Sequence, residues 1–149
     1  MKRLTLTLAL CLAAAAAQAA SFRSGPLEAR ETWSRPAAAA TVGVGYMSLE
    51  NRGGAPDTLV GVTAPVAREV QIHRSVMTGG IMSMSRETRV QVPAHGAVAF
   101  APGGYHLMLM DLKRPLKAGD SFPAELAFAS GRRIAVTFEV STEPPPARR

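Results

Sequence analysis

Two histidines and two methionines occur at a spacing that suits a metal site. His73, Met84, His106 and Met108 stand in the pattern H-x10-M-x21-H-x-M. Their donor atoms are imidazole nitrogens and thioether sulfurs, which together make a soft and neutral ligand set. Zinc prefers thiolates, imidazoles and carboxylates, and hard cations prefer oxygen. The four side chains therefore indicate a site for one Cu(I) ion.

The amino-terminal residues have the pattern of a secretory signal peptide. Lys2 and Arg3 supply a positive start, and residues 4–17 form an apolar run that is short for a membrane span. Ala17-Gln18-Ala19 is an A-x-A cleavage signal. We predict that residues 1–19 are removed on export, which leaves the mature protein without a membrane span. A retained membrane anchor is the alternative.

Cys11 is the only cysteine of the chain and lies within this segment. A lipid anchor on Cys11 is a weaker alternative to cleavage, because Leu10 is bulkier than the small residue that normally precedes a lipidated cysteine. Without Cys11 the mature chain has no disulfide, no thiolate ligand and no cysteine nucleophile. It also lacks the cysteine ligand of a blue-copper electron-transfer site. Histidine and methionine suit an oxidising compartment, where a thiol site risks conversion to a disulfide.

The remaining chain has the length of one domain. Residues 20–140 are enough for one hydrophobic core and too few for two domains of ordinary size. The whole chain has a formal net charge of +6, and the loss of Lys2 and Arg3 leaves a net charge of +4 on the mature chain. Its basic residues are scattered among acidic ones, without a basic helical stripe or interleaved aromatic residues. Nucleic-acid binding is therefore not expected.

Hydrophobic residues alternate with polar residues through most of the mature chain. Residues 121–128 and 133–140 are the clearest pair and predict a β-hairpin around Ala129-Ser130-Gly131-Arg132. Many short strands at close spacing predict an all-β domain, either a β-sandwich or a small barrel. Residues 141–149 contain three consecutive prolines and predict an exposed, extended tail. Further strands are predicted near residues 41–49, 58–63, 67–74, 89–92, 97–101 and 105–111.

The period of a β-strand explains how the candidate ligands can meet. Ile72 is expected to point inward, so His73 has the opposite parity and leaves the core face. His106 and Met108 are two residues apart and project from one face of their strand. Pro102-Gly103-Gly104 precedes them and allows a tight turn. We therefore expect His106 at the rim of the sandwich, where a partner can reach it.

The remaining methionines and the third histidine have simpler interpretations. Met84 is expected to close the site from a neighbouring loop or strand. Met82 shares the parity of Met84 and is the alternative ligand at that position. Apart from that, Met47, Met77 and Met82 are interpreted as packing residues. His95 lies in a turn and is expected to be exposed and without a metal.

The chain resembles the PCuAC family of periplasmic copper chaperones, which carry the motif H-x10-M-x21-H-x-M. The resemblance covers nearly the whole mature domain. It includes Trp33-Ser34-Arg35-Pro36, Tyr46-Met47-Ser48-Leu49-Glu50-Asn51, Val70-Gln71-Ile72-His73, Gly80-Ile81-Met82-Ser83-Met84 and Pro102-Gly103-Gly104-Tyr105-His106-Leu107-Met108-Leu109.

This resemblance implies a cupredoxin-like Greek-key β-sandwich in the periplasm. It also implies a solvent-accessible Cu(I) held by His73, Met84, His106 and Met108, and delivery of copper towards the CuA centre of cytochrome c oxidase. Arg74 departs from the Met that often follows the first His of the motif. The tail lacks the His- and Met-rich extension of some relatives, so a second copper site there is not expected.

A copper carrier needs no catalysis, and the sequence offers no catalytic site. It contains no recognisable Ser-His-Asp arrangement, no paired carboxylates in a site and no phosphate loop. We expect a monomeric, non-enzymatic chaperone whose partners are the copper ion and a recipient protein in CuA assembly. Two alternatives stay open. One is a periplasmic copper buffer for tolerance, and the other is a β-sandwich that binds protein or carbohydrate without a metal.

Overall fold

Every regular element of the described chain is a β-strand. The computed structural model describes residues 20–146, and within them no helix is long and apolar enough to cross a membrane. The strands are β1 (Ser21–Ser24), β2 (Leu27–Ser34), β3 (Gly43–Asn51), β4 (Asp57–Thr63), β5 (Ala67–Thr78), β6 (Ile81–Glu87), β7 (Val90–Val92), β8 (Gly96–Phe100), β9 (Tyr105–Leu112), β10 (Ser121–Phe128) and β11 (Arg133–Val140).

The strands form one open, mixed sheet. Their order is β6-β5-β9-β8-β3-β2-β11-β10-β4-β7, with β1 paired to β2 and an additional pairing of β9 with β3. The pairs β2 with β11 and β8 with β9 are parallel, and the other pairs are antiparallel. Consequently β9 is an interior strand with several neighbours, whereas β6 lies at an edge beside β5.

The hairpin of β10 and β11 shows how sequence alternation builds the core. Phe122 pairs with Phe138 and Leu126 with Ile134, and all four side chains are buried. The two phenyl rings stack with their centroids 5.3 Å apart. Gly131 in the connecting turn has φ 86°, a left-handed value that glycine adopts without a Cβ clash. The predicted hairpin is therefore confirmed.

Both halves of the sheet share a single hydrophobic core. Ile72 and Leu107 enter it from β5 and β9, while Leu59 and Leu126 enter it from β4 and β10. All four side chains are buried. Two halves of a sheet that enclose one core form a β-sandwich. The predicted all-β fold class is confirmed.

Two glycines bring β3 close to the side chains of the core. Gly43 pairs with Leu109 and Gly45 pairs with Leu107 on β9. A Cβ at Gly43 would lie 3.1 Å from Leu109 Cδ1, and a Cβ at Gly45 would lie 3.3 Å from Phe138 Cε1. Both distances are shorter than ordinary van der Waals contact. The absence of a side chain at these positions therefore sets the approach of β3 to β9 and β11.

The hairpin of β5 and β6 was only partly predicted. The predicted strand near residues 67–74 continues to Thr78, which pairs with Ile81 across a two-residue turn. Gly79 and Gly80 in this turn have φ 59° and 79°. Two central residues with positive φ are typical of the type I′ hairpin turn, and Gly-Gly is one of its sequence signals. Gly79 and Gly80 therefore form a hairpin turn that leads directly from β5 into β6.

The strands β1 and β2 were both missed, and the pattern of β2 is irregular. The φ of Glu31 is 52°, and the register of β2 against β3 shifts between Arg30 and Trp33. A bulge of this kind breaks the alternation on which strand prediction depends.

The chain ends lie partly outside the described residues. The predicted signal peptide, residues 1–19, falls there, so its cleavage stays a prediction. Residues 141–146 form no strand or helix, and Pro145 is partly buried while Pro144 and Pro146 are exposed. These prolines line a surface groove together with Trp33. The predicted exposure of the tail is therefore only partly confirmed within the described residues, and its extended conformation stays a prediction.

Glu28 on β2 is a buried acid, with 2% of its surface exposed. It lies opposite Glu50 on β3, an arrangement in which like charges repel. Arg30 contacts Glu28 at 2.8 Å and Glu50 at 3.0 Å, and Arg52 contacts them at 2.9 and 3.2 Å. Arg23 lies 3.0 Å from Glu28. The hydrogen bond from Arg30 is the largest cause that lowers the pKa of Glu28 from 4.5 to about 2.

Replacing Glu28→Gln should lower the free energy of unfolding at pH 7 by about 1.5–3 kcal/mol, because charge-assisted hydrogen bonds are lost. A carboxyl group whose pKa falls on folding stabilises the folded protein fully at pH values above its unfolded pKa, which is 4.5 for Glu28. This contribution disappears as the pH falls through the folded pKa of about 2. Chemical denaturation should therefore show wild type and variant converging between these pH values.

Glu125→Gln is the matched control for this experiment. Glu125 pairs with Arg133 at the exposed surface, so its replacement should change the free energy of unfolding by less than about 1 kcal/mol. A Glu28→Gln effect of equal size at pH 7 and pH 2 would show that the ion pairs are not its cause.

Candidate metal centre

The strands β6, β5 and β9 are neighbours in the sheet and carry the four predicted ligands. His73 on β5 lies directly opposite His106 on β9. Met108 follows His106 by two residues and therefore lies on the same face. Met84 on β6 lies opposite Ser75, which follows His73 by two residues. Because cross-strand partners project from the same side of a sheet, all four side chains share one face.

The other face of β5 and β9 belongs to the hydrophobic core. Ile72 pairs with Leu107, and both side chains are buried. The predicted parity of His73, His106 and Met108 is therefore confirmed. The predicted accessible rim position of His106 is wrong, because only 6% of its surface is exposed. The reason is that β9 lies inside the sheet, with β5 on one side and β3 and β8 on the other.

The four side chains become more exposed from β9 towards β6. His106 is buried, His73 and Met108 are partly buried, and Met84 is 53% exposed. The two imidazole rings have their centroids 6.0 Å apart, with 44° between their planes. A metal–nitrogen bond to histidine is about 2 Å long, so this separation leaves room for one ion between the rings. Such an ion would be reached from the side of Met84.

A backbone hydrogen bond determines which nitrogen of His106 is free. Its Nδ1 lies 3.0 Å from the carbonyl oxygen of Gly104. A carbonyl can only accept, so Nδ1 must carry the hydrogen and donate it. In the neutral ring Nε2 then has a free lone pair. Gly104, the last residue of the predicted Pro102-Gly103-Gly104 turn, thus also orients the imidazole of His106.

A chain of side-chain hydrogen bonds determines the tautomer of His73. Arg86 donates to Glu69 Oε1 at 2.7 Å, and the Gln71 amide donates to Glu69 Oε2 at 3.0 Å. This fixes the amide oxygen of Gln71 towards His73, whose Nε2 lies 2.9 Å away. Nε2 must therefore be the donor, which leaves Nδ1 as the unprotonated nitrogen.

The Nδ1 atom of His73 is buried and has no hydrogen-bond partner, and no other buried side-chain nitrogen or oxygen shares this state among residues 20–146. A buried polar atom without a partner costs about 1–3 kcal/mol. It therefore requires an explanation such as an ion. Its lone pair lies on the face that also carries His106, Met84 and Met108. The donor set and the unsatisfied nitrogen both fit a soft metal ion.

The electrostatic surroundings keep His73 neutral at pH 7. Burial is the largest cause that lowers its pKa below the usual 6.5, and repulsion by His106 and Arg86 adds to it. Glu69 stays a carboxylate, because hydrogen bonding from Gln71 is the leading cause that lowers its pKa. The neutral ring keeps its lone pair available for a metal at neutral pH.

The predictions for the other methionines were only partly correct. Met47 is 3% exposed and packs in the core, as predicted. Met77 and Met82 are 59% and 58% exposed, so their interpretation as packing residues is wrong. The hairpin of β5 and β6 extends beyond the core and carries them into solvent. His95 is exposed, as predicted.

Sequence reasoning missed the hydrogen-bonding role of Gln71 and Glu69. Both share the parity of His73 on β5, and this alternation was the available signal. It places the side chains on one face but does not say that they bond to each other.

Comparison with known proteins identifies the family. The LpqE-like lipoprotein family model matches residues 27–140, which span β2 to β11. The chain belongs to the LpqE-like family. This family is the PCuAC family, so the resemblance found in the sequence motifs is confirmed.

Two relatives match most of the described chain at 30% and 27% identity. Lxx21020 of Leifsonia xyli subsp. xyli (strain CTCB07) is 30% identical over 125 residues, which cover 83% of this chain and 75% of the relative. RP573 of Rickettsia prowazekii (strain Madrid E) is 27% identical over 101 residues, which cover 67% of this chain and 56% of the relative. The chain therefore matches only a little more than half the length of RP573.

Solved PCuAC domains share the fold. The copper-bound PCuAC domain from PmoF2 has a TM-score of 0.70 and 26% identity, and the match covers 83% of this chain and 99% of that domain. The solution structure of CuI-DR1885 from Deinococcus radiodurans has a TM-score of 0.61 and 29% identity. This match covers 85% of this chain and 83% of the DR1885 chain. The expected cupredoxin-like PCuAC fold is therefore confirmed.

The two hydrogen-bond patterns predict opposite tautomers in the metal-free protein at pH 7. Long-range ¹H–¹⁵N correlation spectra should show His73 protonated at Nε2 and His106 protonated at Nδ1. His73 should titrate below 6.5, because its pKa is lowered mainly by burial.

Gln71→Leu removes the acceptor of His73 Nε2, so His73 should become a mixture of its two tautomers. His106 should stay protonated at Nδ1, because its acceptor is the carbonyl of Gly104. If His73 carries its hydrogen on Nδ1 in the unmodified protein, the assignment of that nitrogen as the metal donor is wrong.

Proposed function

We propose that this protein is an extracytoplasmic copper chaperone. In this proposal one Cu(I) is bound by Nδ1 of His73, Nε2 of His106 and the thioether sulfurs of Met84 and Met108. The buried, unpaired Nδ1 of His73 carries the proposal, since it lies on the same face as the other three donors. Copper-bound structures of PCuAC domains support the choice of ion.

The charge balance of the site favours a monovalent soft ion. All four proposed ligands are neutral, so they do not offset the double charge of a divalent cation. Arg86 is directly opposite His73 and is paired with Glu69 at 2.7 Å. Its charge is therefore largely compensated next to the site.

A binding module that uses these residues only for structure is the less favoured alternative. It would leave Nδ1 of His73 buried and unsatisfied at a cost of about 1–3 kcal/mol. It would also leave Met84 half exposed without a packing role. A bound Cu(I) accounts for both observations.

The gradient of exposure suits a carrier that must release its ion. His106 and His73 lie on paired inner strands, while Met84 lies on the edge strand β6 and faces solvent. A ligand from a recipient protein can replace Met84 first while the other three donors still hold the ion. We propose that the recipient belongs to the assembly of the CuA centre of cytochrome c oxidase in the periplasm. No catalytic step is part of this proposal.

Met84→Leu should weaken Cu(I) binding at neutral pH by at least about tenfold, because it removes one thioether while nearly conserving volume. Competition with a chromogenic Cu(I) chelator under reducing conditions measures this change. Met110→Leu is the matched control, since Met110 lies opposite Glu69 at the far end of β9. X-ray absorption of the loaded protein should show mixed nitrogen and sulfur scattering. Unchanged binding by Met84→Leu together with lost binding by Met82→Leu would assign the ligand to Met82 instead.

Deletion of the gene should lower cytochrome c oxidase activity in copper-poor medium, and added copper should restore it. Complementation with wild type should rescue the activity, whereas His73→Ala/His106→Ala should not. A strain with normal oxidase activity but increased sensitivity to excess copper would instead indicate the buffering role.

A further inference from the structure

The hairpin of β5 and β6 exposes three methionines on one of its faces. Met77, Met82 and Met84 are 59%, 58% and 53% exposed. Solvent-facing positions of an edge strand usually carry polar or charged side chains. Burying a methionine side chain completely stabilises a protein by about 1.5–3 kcal/mol. Because all three side chains are more than half exposed, none of them contributes this full stabilisation. Their exposure therefore requires an explanation other than packing.

The register of the hairpin brings the three thioethers together. Met77 lies directly opposite Met82, and the Cβ atoms of such a cross-strand pair are about 4.5–5.5 Å apart. Met84 follows Met82 by two residues on the same face of β6. Gly79 and Gly80 form the adjacent turn, and a Cβ at either position would have no heavy atom within 4 Å. The three sulfurs thus lie near an open end of the molecule.

The same face continues from the turn to the histidines. The cross-strand pair Met77 and Met82 is followed by Ser75 and Met84, and the next pair contains His73. Ser75 is small, so it leaves space beside Met84. Methionine has three rotatable side-chain bonds, which allow the Met84 sulfur to point either towards the turn or towards His73.

The opposite face of the hairpin has a different chemistry. It carries Ser83 and Ser85 on β6, together with the exposed side chains of Val76 and Ile81. Neither serine hydroxyls nor aliphatic groups are ligands for a soft ion. Only the face shared with His73 therefore offers soft donors.

We propose that Met77, Met82 and Met84 form a thioether-only entry site for Cu(I). Each sulfur donates a lone pair to the ion, and no proton or electron is transferred. The ion then moves to His73 by ligand exchange: Met77 and Met82 leave, Met84 stays bound, and the nitrogen and sulfur donors of β5 and β9 bind. This transfer rests on the proposed function, whereas binding by the three thioethers does not depend on it.

Ag(I) is the probe for the entry site, because it is soft, monovalent and not redox-active under these conditions. The experiment uses the His73→Ala/His106→Ala protein with ¹³C-labelled methionine methyl groups. Ag(I) should shift the methyl resonances of Met77, Met82 and Met84 with saturation near one equivalent. The methyl groups of Met47 and Met110 should not shift. Introducing the further substitutions Met77→Leu and Met82→Leu into this variant should weaken its Ag(I) binding by at least about tenfold.

Loading kinetics with intact histidines test the transfer. Stopped-flow transfer of Cu(I) from a chromogenic chelator should be several-fold slower in Met77→Leu/Met82→Leu than in the matched Met110→Leu control. The entry site is overturned if Ag(I) leaves the three methyl resonances of the histidine-free protein unmoved, and the transfer step is overturned if the two loading rates are equal. Tight Cu(I) binding by the wild type would in that case still support the four-ligand site, so the two proposals fail separately.

Discussion

The antiparallel register between β5 and β9 sets His73 opposite His106. A slip of one residue would turn one of the two rings from the ligand face to the core face. The pair Ile72 and Leu107 resists such a slip from the other side of the sheet, since burying each of these side chains is worth about 1.5–3 kcal/mol. The geometry of the histidine pair is thus determined by the hydrophobic core and not by a metal.

The two imidazoles are oriented by different kinds of acceptor. His106 uses the carbonyl of Gly104, a backbone group held in place by the fold. His73 depends on Gln71 and through it on Glu69, both of which are more accessible to solvent than the core. Ionic interactions at such positions are screened by salt. His106 is therefore the more firmly oriented ring, and the orientation of His73 depends more on its solution environment.

Strand periodicity was sufficient to predict which side of β5 and β9 carries the proposed ligands. Alternation is a property of the backbone, so the parity of His73, His106 and Met108 follows from the sequence alone. The burial of His106 does not, because it depends on which strands lie beside β9. This order is decided by long-range pairing, which leaves no local signal.

The methionines show a second limit of sequence reasoning. Met47, Met77 and Met82 all occur in apolar, strand-like segments, yet only Met47 reaches the core. The difference is the extent of the hairpin of β5 and β6, which continues beyond the layer that covers it. Local alternation determines which face of the strand a side chain occupies. Whether the core still covers that position of the strand depends on the rest of the fold.

Gly43 and Gly45 connect the packing of β3 to the metal face. Between them, Val44 lies opposite Met108. A Cβ at Gly43 would require Leu109 to move by a few tenths of an ångström, and a Cβ at Gly45 would require the same of Phe138. Leu109 directly follows Met108 on β9, so a movement of Leu109 would also displace this proposed ligand. A side chain at Gly43 would therefore disturb the face that carries the proposed ligands, although Gly43 contributes no donor atom to it.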